Sequence, residues 1–379
     1  MEFTAAKKDL LKMVTRMQGV AERKSTMPIL SNILLVAEGP STLRLQATDL
    51  YLAIAGKVTA DVKKPGSVAV PAKELLERIK MMPEGAIHVT AADGAQTVLK
   101  SSASARRYTL RGMPGDEFPP LPSPAEGAPS LSLEVRVLQE LIARTHFSVS
   151  SDETRPHINS ALFEWEGDIV RMVSTDGHRL SKMDVKVAGR QATATMLIPL
   201  KAIQELRRLA EELAAESPKD AKEPPTIEIT QSGPNAFFQA GGMVFSVKLV
   251  DAQFPPYLQV IPQNADKKIR IPRAAFADAL RAVSIAASER TGGVKLGIGN
   301  STMRITSESP ESGDGFDEVP VDYKGPNLTI GFNAKYFLDV LAALPDEEVC
   351  LLLSGELDPA VIRPGNEQDF LGVVMPMKI

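Results

Sequence analysis

The sequence predicts an α+β protein made of three like units, each with two helices packed on antiparallel sheets. Three observations carry this expectation. An order of strand, helix, strands, helix, strands runs through the chain three times, at a spacing of roughly 125 residues. In the first two units the second helix follows a proline, Pro71 or Pro199, and both units close on Phe-Pro-Pro, at Phe118 and Phe254. The segments Ala47-Thr48-Asp49-Leu50 and Ser174-Thr175-Asp176-Gly177-His178-Arg179-Leu180 share a Thr-Asp pair at the same place in their units.

The first unit, 1–125, opens with a strand at Glu2-Phe3-Thr4 and a helix from Ala6 to about Gln18, whose Leu10, Met13, Val14 and Met17 recur at helical spacing. Strands are expected over 33–36, 42–47, 52–62, 87–90, 97–101 and 107–110, and a second helix over 72–82 with Pro71 suited to its start. In the second unit, 129–256, the helices are 135–147 and 199–215, and the strands 131–133, 161–163, 169–173, 227–230, 236–240 and 244–250. The third unit, 262–379, has helices 273–287 and 333–344 and strands 269–271, 294–298, 303–306, 349–353, 360–363 and 371–375. Proline-bearing linkers at 121–129 and 256–268 separate the units. The run 211–225, rich in Ala, Glu, Lys and Pro, reads as a helix end plus a loop.

Units of this kind expose sheet edges that need covering or pairing. Like edges can join head to tail, and three units give only an arc. A head-to-tail dimer, with six units, is one way to close it.

A net charge of −4 argues against a simple basic DNA-binding module, though it leaves room for positive charge confined to one surface. Aromatic residues at 5% are too few for base-stacking platforms. Cys350 is the only cysteine, so an internal disulfide framework is excluded and a reducing interior is expected. No apolar run reaches membrane-span length. Met1-Glu2-Phe3-Thr4 leads straight into folded-type sequence, so no secretion signal and a cytoplasmic protein are expected.

Asp176-Gly177 reads as a two-residue hairpin turn in which both residues take positive φ. The same stretch sets Asp176, His178 and Arg179 close together, and a hydrolase using them is one alternative. Nothing in the sequence supplies a nucleophile or oxyanion site beside them. Phosphate-loop, zinc-protease, Cys-x-x-Cys and nucleophile-elbow motifs are all missing. His88, His146, His157 and His178 are scattered, so no metal, cofactor or catalysis is expected.

Basic residues recur on the helices. Lys8, Lys12 and Arg16 are spaced i, i+4, i+8, which places them away from Leu10, Val14 and Met17. Lys73 and Lys80, Lys201 and Arg208, and Arg273 and Arg281 fall on later helices. These are either ordinary solvated faces or, if the helices face a common centre, the lining of a positive bore that holds phosphates without reading sequence.

Thr26-Met27-Pro28-Ile29-Leu30-Ser31-Asn32, the two Thr-Asp segments, Leu249-Val250-Asp251 with Phe254-Pro255, Gly331-Phe332-Asn333-Ala334-Lys335-Tyr336 and Val373-Val374-Met375-Pro376-Met377-Lys378-Ile379 occur in this order. Along essentially its whole length the chain resembles the bacterial DNA polymerase III beta subunit family, the replicative sliding clamps. The resemblance implies three DNA-clamp domains per chain and a homodimeric ring of six that encircles double-stranded DNA without sequence specificity. It further implies a non-catalytic tether for the replicative polymerase catalytic subunit, loaded by an ATP-driven clamp loader. Other polymerases and repair proteins would bind through clamp-binding peptides. An interaction scaffold that never closes a ring is the alternative.

By the same resemblance, a partner peptide would sit against Ile158, Thr175, Gly177, His178, Arg179, Leu180, Pro255, Val260, Val373 and Met375. Arg155, His157, Tyr336, Pro376 and Met377 would line the adjoining groove. Lys24 and Lys73 match DNA-contact positions, and the helix pattern adds Lys12, Lys201 and Arg208. Tyr108 and Leu110 match one side of the dimer contact and Ile285 the other. Gln259 stands where the family often has arginine and His157 where an aromatic is frequent; both bear on groove preference.

Overall fold

The computed structural model describes residues 1–21, 26–187, 192–216, 223–288, 291–310, 313–365 and 369–379. The α-helices described are α1 (Lys7–Gln18), α2 (Ala72–Met81), α3 (Val135–Thr145), α4 (Leu200–Glu216), α5 (Arg273–Ser284) and α6 (Ala334–Ala343). Among the described residues no helix is long and apolar enough to cross a membrane.

Each helix follows directly on a strand. Pro71 and Pro272 stand at the N-caps of α2 and α5, one position earlier than the sequence reading placed Pro71, where a fixed φ and a missing N–H cost nothing. At α6 the Asn333 side chain accepts the Lys335 N–H, which satisfies one of the open donors of the first turn. Two helices end earlier than the apolar spacing implied. α3 stops at Thr145 and passes into a 3-10 turn, His146–Ser148, and α5 stops at Ser284 rather than 287.

The strands pair antiparallel. The chain separates into two compact units that do not follow the three-fold repeat. Unit 1 comprises Met1–Arg136 and Gln204–Leu249, and unit 2 Val137–Ile203 and Val250–Ile379. The reason lies in the sheets, which run from one repeat into the next. In unit 1 the last strand of the second repeat, Met243–Lys248, pairs with the long strand Leu52–Lys64 of the first, in the register Met243↔Gly56 to Val247↔Leu52. In unit 2 the last strand of the third repeat, Phe370–Val374, pairs with Arg179–Lys186 of the second, in the register Arg179↔Val374 to Met183↔Phe370.

The strand Gly313–Pro320 was not expected from the sequence. Its Gly-Asp-Gly-Phe-Asp-Glu composition reads as loop, yet it pairs with Thr302–Ser309 over its full length. It is the third repeat's counterpart of Leu52–Lys64 and Arg179–Lys186, and only counting strands across the repeats would have exposed it. The other two counterparts carry a neighbour from the next repeat, whereas Gly313–Pro320 ends its four-stranded sheet. Arg107–Arg111, the counterpart of the two closing strands, likewise ends its sheet, with Gln96–Ser101 its one neighbour among the described residues.

Arg16 departs from the expected solvent face. It is 2% exposed and sits inside unit 1, with its guanidinium on Glu212 (2.9 Å) and Glu216 (2.8 Å). The run 211–225 therefore does more than end a helix: its first turns carry the carboxylates that neutralise a buried arginine. Residues 217–222 of that run lie outside the described residues.

Candidate functional site

The Thr-Asp turn is built differently from the sequence expectation. Of Asp176 and Gly177 only Gly177 has positive φ, at 90°. Asp176 acts through its side chain: Oδ1 accepts the backbone N–H groups of His178 (2.9 Å) and Arg179 (3.0 Å). The Thr175 hydroxyl accepts from Gly177 N–H (3.1 Å) and donates to the Arg179 carbonyl (2.7 Å). The same bonds recur in the first repeat, where Asp49 takes the N–H groups of Tyr51 and Leu52 and Thr48 caps Leu50. There Leu50 holds the left-handed position at φ 76°, a conformation that is costly for a residue with a Cβ. A true two-residue turn with both φ positive occurs elsewhere, at Asn300 and Ser301.

The turn delivers Arg179 into a buried position, 8% exposed. Its guanidinium meets Asp176 (3.0 Å), Asp339 of α6 (2.5 Å) and the Phe147 carbonyl (2.5 Å), and lies 4.8 Å over the Tyr336 ring. His178 stacks on the other part of this assembly, its ring 6.4 Å from Tyr336 and 13° from parallel. His178 O also accepts the Met375 N–H (2.9 Å), tying the turn to the C-terminal segment.

Beside the turn opens a cleft of about 350 Å³. Of the sequence-predicted groove residues, it brings together Arg155, His157, Ile158, Thr175, Gly177, Arg179, Leu180, Pro255, Val260, Val373 and Met375. His178, Tyr336, Pro376 and Met377 are not among its lining, although the first two join it through Arg179. Gln259, which the sequence ties to groove preference, also lines it, as do Pro256 and Tyr257, which the sequence leaves in the linker. Val260 and Met375 are exposed, whereas Ile158, Leu180 and Val373 form a buried floor.

One wall is the connector 252–260, laid across the sheet face. Phe254 and Tyr257 pack at 6.3 Å in an edge contact and join Leu162, Val173, Leu180, Leu197, Val361 and Val373 in one apolar cluster. Burying two such rings contributes about 3–6 kcal/mol, which outweighs the connector's few hydrogen bonds. The Tyr257 hydroxyl fixes the register by donating to Glu164 (3.1 Å) while accepting from Arg171 (3.3 Å). Burial pushes the Tyr257 phenol up to about 12, with Arg171 opposing and Glu164 adding to the rise. Arg171 itself forks onto Asp184 at 2.7 and 3.1 Å. Burial would raise the Asp184 carboxyl, but Arg171 and Lys182 outweigh it and hold it below the usual range.

An apolar floor rimmed by a few oriented polar groups is the anatomy of a peptide anchor site. Family models of the DNA polymerase III beta subunit match the N-terminal domain over residues 1–122, the central domain over 132–256 and the C-terminal domain over 258–378. The chain is 33% identical over 382 residues to the beta sliding clamp of Pseudomonas aeruginosa and 31% over 381 residues to that of Escherichia coli, with all of both chains covered in each case. The chain belongs to the DNA polymerase III beta subunit family. Its fold agrees with the crystal structure of that subunit from P. aeruginosa (TM-score 0.92, 32% identity, all of both chains). It agrees also with the C. crescentus beta sliding clamp, solved with PEG bound to its putative beta-motif tethering region (TM-score 0.90, 31% identity, all of both chains).

As a sliding clamp it is a non-catalytic processivity factor of DNA replication. The hydrolase alternative falls with this assignment, and the geometry agrees, since Asp176 and Arg179 are consumed by each other and by the turn.

The clamp's basic residues have unequal surroundings. Lys73 on α2 is exposed and 4.0 Å from Glu77, and Lys201 is exposed at the start of α4. Lys12 pairs with Glu216 at 2.7 Å, and Arg208 with Glu205 (2.9 Å) and Glu212 (2.6 Å). The expected row of cations is thus partly offset by carboxylates on α4. Lys24 lies outside the described residues. On the edge strand Arg107–Arg111, Tyr108 is half-buried and Leu110 is buried within its own unit, so Leu110 backs the edge and does not project from it. Ile285, just past α5, is 82% exposed. Phe316, on the unexpected strand, is exposed as well and was missed with it.

Proposed function

We propose that this sliding clamp works as a head-to-tail homodimer of three-domain chains, with domains 1–125, 129–256 and 262–379, closed around duplex DNA in the cytoplasm. The observation that carries the reading is the pair of unmatched edge strands. Twice within the chain, a repeat's closing strand pairs antiparallel with the third of the four strands that lie between the two helices of its predecessor. Arg107–Arg111 and Gly313–Pro320 are the two strands that this rule leaves over. Pairing them between two chains applies the rule a third time and closes the series without a free copy of either edge. Their chemistry is complementary: Arg106, Arg107 and Arg111 stand on or beside one, Asp314, Asp317 and Glu318 on the other, and Ile285 and Phe316 supply exposed apolar surface.

Lys24, Lys73, Lys12, Lys201 and Arg208 attract DNA phosphates through water, each weakly, so that the duplex is held by topology and remains free to slide. Loaded by the clamp loader, the protein is expected to stay on closed circular DNA at physiological salt and to leave when the circle is cut. Lys24→Glu with Lys73→Glu is expected to lower loading severalfold and leave peptide affinity unchanged. Escape from intact circles would favour an interaction scaffold without ring closure.

The groove at Ile158, Leu180, Val373 and Met375 takes the apolar residues of a clamp-binding peptide from the polymerase or another partner. Met375→Ala and His178→Ala are each expected to weaken a polymerase-derived peptide by about 1–3 kcal/mol, read by fluorescence polarisation. Unchanged affinity in both would remove the groove assignment.

A further inference from the structure

The sheet face that bears the groove carries a second cleft on the far side of the connector. It is the larger of the two, about 570 Å³. Leu162, Leu197 and Phe254 form its floor, and Glu164, Thr195 and Leu258 its rim. The connector residues Pro256, Tyr257 and Gln259 form a wall common to both clefts.

Three features give it the character of a binding site. Leu258 is 60% exposed at the rim and continues the apolar floor of Leu162, Leu197 and Phe254 to the surface, so an apolar side chain entering the cleft is covered on several sides. Glu164 engages Tyr257 and Arg171 through Oε2 alone, so Oε1 is placed to accept a further donor at the cleft. The Tyr257 hydroxyl and the Phe254 contact hold the connector in one register, so the two clefts keep a fixed spacing and a chain spanning them meets a preformed surface.

We propose that this second cleft docks the same partners, taking a large apolar side chain and an adjoining lysine or arginine from the residues that flank their groove motif. This rests on the groove reading, and the shared wall is what selects the occupant. Gln259 lines both clefts, so a chain leaving the groove over it passes directly to the second cleft. The apolar side chain enters between Leu197, Phe254 and Leu258, and the cation reaches Glu164 Oε1.

The test compares two synthetic peptides from the clamp-binding region of the replicative polymerase, the motif alone and the motif with its natural flanks on both sides. Binding is measured on the wild-type clamp, Leu258→Glu and Thr195→Arg; both native side chains are exposed, and each variant is first checked for a wild-type thermal melt. The flanked peptide is expected to bind wild type about tenfold more tightly than the motif alone. Both variants are expected to remove that advantage while leaving the motif's own affinity within about twofold. Exchanging the flank's cation for glutamate should reduce the gain on wild type and matter less on Glu164→Gln. A flanked peptide with no advantage on wild type, or with the same advantage on all variants, overturns the second cleft and leaves the groove standing. A motif peptide that fails to bind wild type removes the groove reading, and this one with it.

Discussion

Ile285→Asp combined with Phe316→Asp is expected to yield a folded monomer that no longer stays on circular DNA. Both side chains are exposed, at 82% and 60%, so their loss leaves the interior of the chain untouched and the melting transition of the monomer unchanged. Truncating a buried interface anchor typically costs about 2–4 kcal/mol, and two together about 4 kcal/mol or more, a thousandfold in dimer dissociation constant. Aspartate adds to this, because the strand already carries Asp314 and Asp317 and the desolvated charges would repel. Sedimentation velocity across a concentration series reads the dimer directly, and retention on circular DNA reads its consequence. Raising salt should loosen the wild-type dimer through the arginines of the facing edge. A double variant that remains a tight dimer would show that the two leftover strands are not the joint.

Arg179→Ala is expected to destabilise the chain by about 3–5 kcal/mol, the usual consequence of stripping one partner from a buried charge cluster. The side chain closes on Asp176, Asp339 and the Phe147 carbonyl at once and supports the Tyr336 ring. Without it, Asp176 Oδ2, Asp339 and the Phe147 carbonyl lose the guanidinium they accept from, and the turn that sets Gly177 at the groove loses its brace. Peptide affinity should fall at least tenfold even well below the melting temperature. Arg179→Lys should recover only part of the stability, because an ammonium cannot span three acceptors with a planar fork. Urea denaturation followed by tryptophan fluorescence, from Trp165 alone, measures the first effect. A variant as stable as wild type would remove Arg179 from its supporting role.

Much of this clamp was legible in its sequence, for identifiable reasons. Leu10, Met13, Val14 and Met17 announce α1 because helical periodicity is a local property of the chain, and α2 and α6 follow within a residue or so. The Thr-Asp turn and the C-terminal strand are marked by motifs in a recognised order, and the structure places Thr175, Gly177, Val373 and Met375 at one cleft. What escaped depended on partners far along the chain. Arg16 belongs by spacing to the same stripe as Lys8 and Lys12, yet it is buried because Glu212, 196 residues away, meets it there. Gly313–Pro320 has the composition of a loop and becomes a strand because Thr302–Ser309 gives it a ladder. Pro256 and Tyr257 look like linker until Glu164 and Arg171, on sheet strands, hold the Tyr257 hydroxyl.

The sequence by itself determined the three-fold repetition, the order of the six helices and of most strands, and the family. Each of these is written in local periodicity, turn chemistry and motif order. Tertiary structure decided which cations face carboxylates, where the sheets pass from repeat to repeat and which distant segments wall the groove. Those are choices of partner, set by which nonlocal pairing buries apolar surface and neutralises charge.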